Sequence, residues 1–510
     1  MDEGISSLIR NLSISDDRLQ TLTEIKTFVV SSHSSTLKNV VQASDLETLF
    51  QCLENNDRDE VEAICFILSS LLPIVDPVDV AVKLASAIQN GLTHPNPDVQ
   101  HLTLKELQRV VAASDGATAL SDSPDITRFA IFLVGDADES LAAAAVKFLS
   151  EFGRTSPNAA RTMLKPDFQP HYRDLKTVMQ KNDVVKFRVY EIVCNIQAES
   201  QEMLDLCVES GIVSDLVKEL DGSDVLGKVT CCTMLSGMAS SNHSLDYLVQ
   251  AGVVSKMTEM LKDSITDPFS DLYVPAGVIR FFGNLSLYNG PKFVLEIFPN
   301  FCKVIFTMVG SNDPPKQQVA METLGIIGET LEGKKVLSEQ GDDCTTAVQD
   351  VCQILKHGKQ DMRLIAVDCM SRLLDHKKVN ENETDVAYKI TLSWFRLLSS
   401  NPIDTIINLC KQPFTDIRCS GFALLNTLAD CQWGVEAMVE FATLVEFLLD
   451  RSTETEKSSK DAKFAVIKTL TKSPNVASIF GNRNYLRFRQ FLNEGPYYVG
   501  TQLSVAIDEA

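Results

Sequence analysis

One pattern is written twice in this chain: VESGIVSDLVKEL begins at Val208 and VQAGVVSKMTEML begins at Val249. In each copy a small residue and a glycine (Gly211, Gly252) interrupt the chain, and apolar residues then recur at helical spacing. Ile212, Val213, Leu216, Val217 and Leu220 form one stripe, and Val253, Val254, Met257 and Leu261 form its counterpart, so each copy reads as an amphipathic helix started just after a glycine. The segment after each copy repeats as well. A polar turn leads into VLGKVTCCTMLSGMA, with Val225, Val229, Cys232 and Leu235 in phase, and a second leads into LYVPAGVIRFFGNLS, with Val278, Phe282 and Leu285 in phase. The unit is a pair of long helices plus a short connecting piece, HSLDYLVQAG.

Such a unit cannot bury its apolar faces alone and has to stack on copies of itself. A polar turn leading into an apolar helical run recurs near Asp57, Asp98, Asp138, Asp183, Asp224, the DPFSD turn, Asp313, Asp361, Asp416 and Asp461. The spacings are mostly roughly forty to forty-eight residues, with one nearer fifty-five, which is about the range of armadillo and HEAT-type repeats. The expectation is an all-α, armadillo/HEAT-like superhelix, an α-solenoid. At 510 residues the chain exceeds a single compact core, but a repeat array grows in one dimension and escapes that limit. The expected organisation is capping helices over 1–45, repeats over 46–495 and a disordered tail over 496–510. The polar segments DHKKVNENETD and RSTETEKSSKD read as loops between helices, and NRNYLRFRQFL reads as a last helix.

Charge narrows the partners. A formal net charge of −21 argues against a phosphate-binding surface, whose affinity comes from lysine and arginine, and equally against an anionic membrane. The first residues lack the basic and apolar regions of a signal peptide, and no apolar run is long enough to span a bilayer. A soluble protein of the cytoplasm is expected, with the nucleus open as a second location. The thirteen cysteines are scattered, odd in number and free of CxxC pairs, so buried thiols are expected, Cys231, Cys232, Cys302 and Cys369 among them.

Catalytic and cofactor signals are absent from the sequence. GETLEGK, from Gly328 to Lys334, has the spacing of a phosphate-binding loop, but Lys335 stands where Ser or Thr should hold the metal, and a helical run precedes it where a strand is needed. A glycine turn between repeat helices accounts for it. The seven histidines form no i,i+4 pair, so no metal is expected, and no nucleophile motif is present. The protein is expected to be a non-enzymatic binder without cofactors. Asn195, Asn284 and Asn426 occupy comparable places in their units, where an armadillo-type asparagine reaches a bound peptide, whereas Gly237 and Ile326 interrupt the ladder. The alternative is an asparagine satisfying nearby backbone groups.

Four stretches go further: GLTHPNPDVQHLTL from Gly91, ITDPFSDLYVPAGVIRFFGNLS from Ile265, DRSTETEKSSKDAKF from Asp450 and IFGNRNYLRFRQFLNEGPYYV from Ile479. In order and over almost the whole chain, they resemble the proteasome non-ATPase regulatory subunit 5 family. The resemblance implies an assembly chaperone of the 26S regulatory particle base. Such a chaperone engages the C-terminal small domain of one AAA ATPase subunit in a precursor. A neighbouring ATPase and a large non-ATPase base subunit travel with it, and it leaves before the particle matures. On its own it is expected to be monomeric, with no nucleic-acid or membrane partner. Arg188, Asn195, Arg280, Phe281 and Asn284 are the candidate contacts, against core packing for Phe281 and a solvated face for the arginines. An importin-like transport or general protein-interaction adaptor is the competing reading, disfavoured by the broken asparagine ladder and the lack of a basic N-terminal arm.

Overall fold

The computed structural model describes residues 4–12, 15, 17–55, 57–165, 170–266, 274–377, 384–473 and 475–498. Among these residues the regular structure is helical throughout, and the chain divides into two compact units, Met1–Val253 and Val254–Ala510. Each unit is an α-solenoid built from rows of helices that touch their equivalents in the neighbouring repeats.

In the first unit the longest row runs Arg18–Ser31, Arg58–Leu71, Pro97–Val111, Glu139–Thr155, Asp183–Gln197 and Val225–Met238, each packed on the next. A middle row contains Gly4–Asn11, Ala43–Cys52, Ala85–Leu92, Pro124–Val134 and His171–Met179. A short row contains Pro77–Lys83, Gly116–Ser121, Pro157–Leu164, Gln201–Glu209 and Asn242–Gln250. Three helices per repeat are therefore present, one more than the pair of long helices expected: the connecting piece is itself helical. The second unit repeats the scheme, its long row being Val274–Asn289, Pro314–Gly328, Gln360–Leu374, Thr415–Ala429, Lys457–Lys472 and Asn482–Glu494.

Among the described residues most of the polar turns picked out in sequence do start a long-row helix; Asp461 instead falls inside the helix Lys457–Lys472, and the DPFSD turn lies outside the described residues. Asp57, Asp138 and Asp224 each accept two backbone N–H bonds from the first turn of the next helix, and Asn96 and Asn182 accept one each. These bonds satisfy amides that have no partner inside the helix, so the capping residue fixes where each helix begins. The paired glycines are also explained, since Gly211 (φ +76°) and Gly252 (φ +75°) hold the left-handed conformation that ends one helix and starts the next.

Most of the expected stripes are buried, including Ile212, Val213, Leu216, Leu220, Val253, Val254, Met257, Leu261, Val278, Phe282 and Leu285. Val217 is only half-buried, and Val225 is 49% exposed because it stands in the first turn of its helix, before the apolar face reaches the core. Cys231, Cys232, Cys302 and Cys369 are buried free thiols, and burial pushes Cys302 up to about 11 and Cys232 up to about 12.

Two boundaries differ in detail from the sequence reading. Position 45 falls inside the helix Ala43–Cys52, and the segments before it already occupy the long and middle rows. RSTETEKSSKD is a 3-10 turn, Arg451–Thr453, and then the start of the helix Lys457–Lys472. The expected last helix is Asn482–Glu494; of the expected tail, residues 499–510 lie outside the described residues, as do 378–383 of the other polar segment.

Candidate functional site

Along the rows, the repeats are joined by polar side chains that reach back or forward one period. Arg128 pairs with Asp174 at 2.7 Å, Arg161 with Glu202 at 2.6 Å and Lys176 with Asp215 at 2.9 Å, and Arg154 pairs with Glu199. In the second unit Arg280 pairs with Glu322 at 3.1 Å and Arg487 with Glu446 at 2.7 Å. Histidines serve the same purpose. His94 Nε2 lies 3.1 Å from the Leu53 carbonyl, His171 Nε2 2.7 Å from that of Pro124 and His243 Nε2 3.0 Å from that of Gln197. These histidines, isolated in the sequence, are joints, and each lies about one period from its partner. A search for polar pairs offset by the repeat length could have found the ion pairs, such as Arg154 with Glu199.

This use of polar groups decides several of the expected contacts. Arg188 donates to the carbonyls of Val134 (3.0 Å) and Asp136 (3.1 Å), closing the end of the helix Pro124–Val134, and so is spent on the preceding repeat. Phe281 is fully buried, its ring 5.6 Å from that of Phe282; it packs in the core and does not project toward a partner. Arg280 is half-exposed and held by Glu322. Asn195 donates to Ser150 Oγ at 3.2 Å, which links two adjacent long-row helices. Asn284 is half-buried on the helix Val274–Asn289, and the Asn426 Oδ1 is buried without a hydrogen-bond partner among the described residues. Arg188 and Phe281 are therefore engaged within the fold, and Asn195 and Arg280 are each held by a neighbouring repeat.

GETLEGK is resolved by packing. A Cβ at Gly328 would lie 2.3 Å from Leu373 Cδ2, and one at Gly333 would lie 1.7 Å from the Ile327 carbonyl oxygen, so both glycines permit close approach of helices. Lys334 is fully buried and donates to the Gly328 carbonyl, with that of Arg372 at 3.4 Å. Its ammonium faces the interior, where burial brings it down to about 8, and no phosphate can reach it.

A groove that the sequence did not announce crosses the first unit. It has a volume of about 430 Å³ and spans three long-row helices, Arg58–Leu71, Pro97–Val111 and Glu139–Thr155. Phe66, Leu102 and Ala144 give it apolar walls, and Lys105 stands exposed at its side without an ion-pair partner among the described residues. Asp98 and His101 also line it. Lys26 caps the Phe66 ring at 4.5 Å, a cation held over the face of an aromatic. A second hollow of about 450 Å³ adjoins it at Gln108, and there the charges are neutralised locally, Lys147 near Glu151 and Arg154 on Glu199. Apolar walls with a few polar groups are the usual composition of a binding pocket.

The proteasome non-ATPase 26S subunit family profile matches residues 1–510. The chain belongs to that family. It is 34% identical over 505 residues to the 26S proteasome non-ATPase regulatory subunit 5 of Bos taurus and likewise to that of Homo sapiens, in both cases over 99% of each chain. Membership makes its role proteasome-related. Among solved structures, an engineered protein is similar over 84% of this chain and 98% of its own, at 16% identity and a TM-score of 0.38, a likeness too loose to carry an argument.

Proposed function

We propose that this protein is a non-catalytic chaperone for assembly of the 26S regulatory particle base. It holds the C-terminal small domain of one AAA ATPase subunit in a precursor that also contains a neighbouring ATPase and a large non-ATPase base subunit. It departs before the mature particle forms, and it acts in the cytoplasm. Family membership over the full chain supports this reading, and one observation carries its placement: the groove between Phe66, Leu102 and Ala144, with Lys105 and Lys26 beside it. Several polar residues of the long row, Arg154, Arg188 and Arg280 among them, are engaged in joints between repeats. This groove keeps apolar surface together with two cations, Lys105 with no ion-pair partner among the described residues and Lys26 over the Phe66 ring, which is what a partner domain needs in order to bury area and fix its orientation. Asn195, on the long-row helix Asp183–Gln197 outside the groove, is kept as a secondary contact, and Arg280 and Asn284 are candidate contacts on the long row of the second unit.

The test uses the purified C-terminal small domains of the base ATPases and the full chain. One of the domains is expected to bind, and the K26E/K105E variant is expected to bind it at least tenfold more weakly. If no ATPase domain binds, the chaperone reading fails. If the domain binds and the variant is indistinguishable, the reading stands but its placement in the groove fails.

A further inference from the structure

The last described helix, Asn482–Glu494, carries an interaction surface that the chaperone reading does not use. Phe488 and Phe491 point into the core, where Phe488 meets Phe480 at 5.6 Å between rings and Phe491 lies under the Arg451 guanidinium at 3.8 Å. The opposite face is defined by helical geometry: Arg483, Leu486, Arg489, Gln490 and Asn493 lie on one side and all are exposed. Leu486 is 65% exposed at its centre. A helix face turned to solvent is ordinarily polar, so a leucine presented there is not required by the fold.

The charges around Leu486 run against the rest of the chain. Arg483, Arg487 and Arg489 are the one place where three arginines fall within seven residues, in a chain whose net charge is −21. Arg487 is spent, bound through both of its terminal nitrogens to the Glu446 carboxylate, each at 2.7 Å. Arg483 and Arg489 have no ion-pair partner among the described residues. Arg483 acts on Glu446 only from beyond ion-pair distance, and Arg489 makes a single long contact, 3.4 Å, to the Tyr485 hydroxyl. Two guanidinium groups without a bound carboxylate therefore flank an exposed leucine on the free face of one helix.

We propose that this face docks an acidic amphipathic segment of a partner protein, with an apolar side chain against Leu486 and carboxylates on Arg483 and Arg489. Paired guanidinium and carboxylate groups supply orientation, and the leucine supplies the buried area. Nucleic acid and anionic membrane fit poorly: two cations neutralise few phosphates, and the acidic remainder of the molecule repels both. A second copy of this chain would bring the same strong negative charge against itself.

The experiment measures fluorescence anisotropy of two labelled 18-residue peptides on the full chain. They have leucines at identical helical spacing and differ in carrying glutamate or lysine on the polar face. The glutamate peptide is expected to bind, the lysine peptide to bind at least tenfold more weakly, and R483E/R489E to lose at least tenfold for the glutamate peptide. K105E, in the groove of the first unit, is expected to leave that binding unchanged, and matching thermal melts of the variants establish that they fold. Equal binding of both peptides, binding lost in K105E instead of in R483E/R489E, or tighter binding of single-stranded RNA or phosphatidylserine vesicles at the same arginines would each overturn the proposal.

Discussion

The two units differ in the charged groups that they bury. In the first, the buried ionised groups are chiefly carboxylates, each met by donors: Asp45 by Ser6 Oγ (2.7 Å) and the Gln42 amide (3.0 Å), Glu106 by Arg109, and Asp174 by Arg128. In the second they are chiefly lysines aimed at carbonyl oxygens. Lys334 reaches Gly328, and Lys463 reaches the Asp450 carbonyl at 2.7 Å and Thr453 Oγ1 at 2.6 Å, beside the buried pair of Glu454 and Arg418. Both devices tie one helix to the next, but a buried ammonium resists burial more openly than a carboxylate that already holds an arginine. One repeat architecture tolerates either sign, provided every joint supplies its own counter-groups.

The largest effect should come from breaking the buried pair of the second unit. Arg418→Ala strands Glu454, whose side chain is 2% exposed, and about 3 kcal/mol of stability should be lost, readable by denaturant melts of the full chain. A loss near zero would show that Lys463 alone neutralises Glu454.

pH separates the units next. The Lys334 and Lys463 ammonium groups are brought down to about 8 by burial, from 10.5. Between about 8 and 10.5 the unfolded chain then binds more protons than the folded one, so stability of the second unit should rise with pH across that window. His376 behaves as the acid-side counterpart. Burial, and then the neighbouring Lys334, bring it down to about 4 from 6.5. Stability is therefore held above pH 6.5 and lost as pH falls toward 4, because the unfolded chain takes up the proton first. Hydrogen exchange resolved by segment should show both slopes in the second unit; Lys334→Met should roughly halve the alkaline slope, which Lys463 shares, and His376→Gln should remove the acid one.

A smaller change is expected at the repeated glycine. Gly211→Ala places a β-carbon at φ +76° and should cost about 1–2 kcal/mol even though nothing lies within 4 Å of the new methyl, because the strain is in the backbone. The smallest is Arg154→Ala. The Arg154–Glu199 pair is half-exposed on both sides, and such pairs contribute about 0.2–1 kcal/mol. If Arg154→Ala proved as damaging as Arg418→Ala, the contrast between exposed and buried joints would collapse.

The fold was legible because its signals are local. An Asp or Asn at a helix start accepts bonds from amides two and three positions on, so Asp57, Asp138 and Asp224 mark boundaries without knowledge of the neighbouring repeats. The site was not legible in the same way. Whether Arg188 faces a partner or the Val134 carbonyl, and whether Phe281 is outside or inside, depends on the rotation of one repeat against the next, which no short window contains. The groove beside Phe66 is harder still, since its walls come from three helices spread along the chain, with Phe66, Leu102 and Ala144 supplying one side chain each.

The joints that reach one period and no further give the chain a structural reading frame. Arg161 knows Glu202 and Lys176 knows Asp215, but neither knows how many repeats precede it. Within a unit, excising one whole period would bring equivalent surfaces back into register, whereas excising half a period would misalign each joint across the scar. A lineage of such proteins can therefore lengthen or shorten by complete repeats while the remaining joints stay intact, and its members should differ in length by multiples of a period.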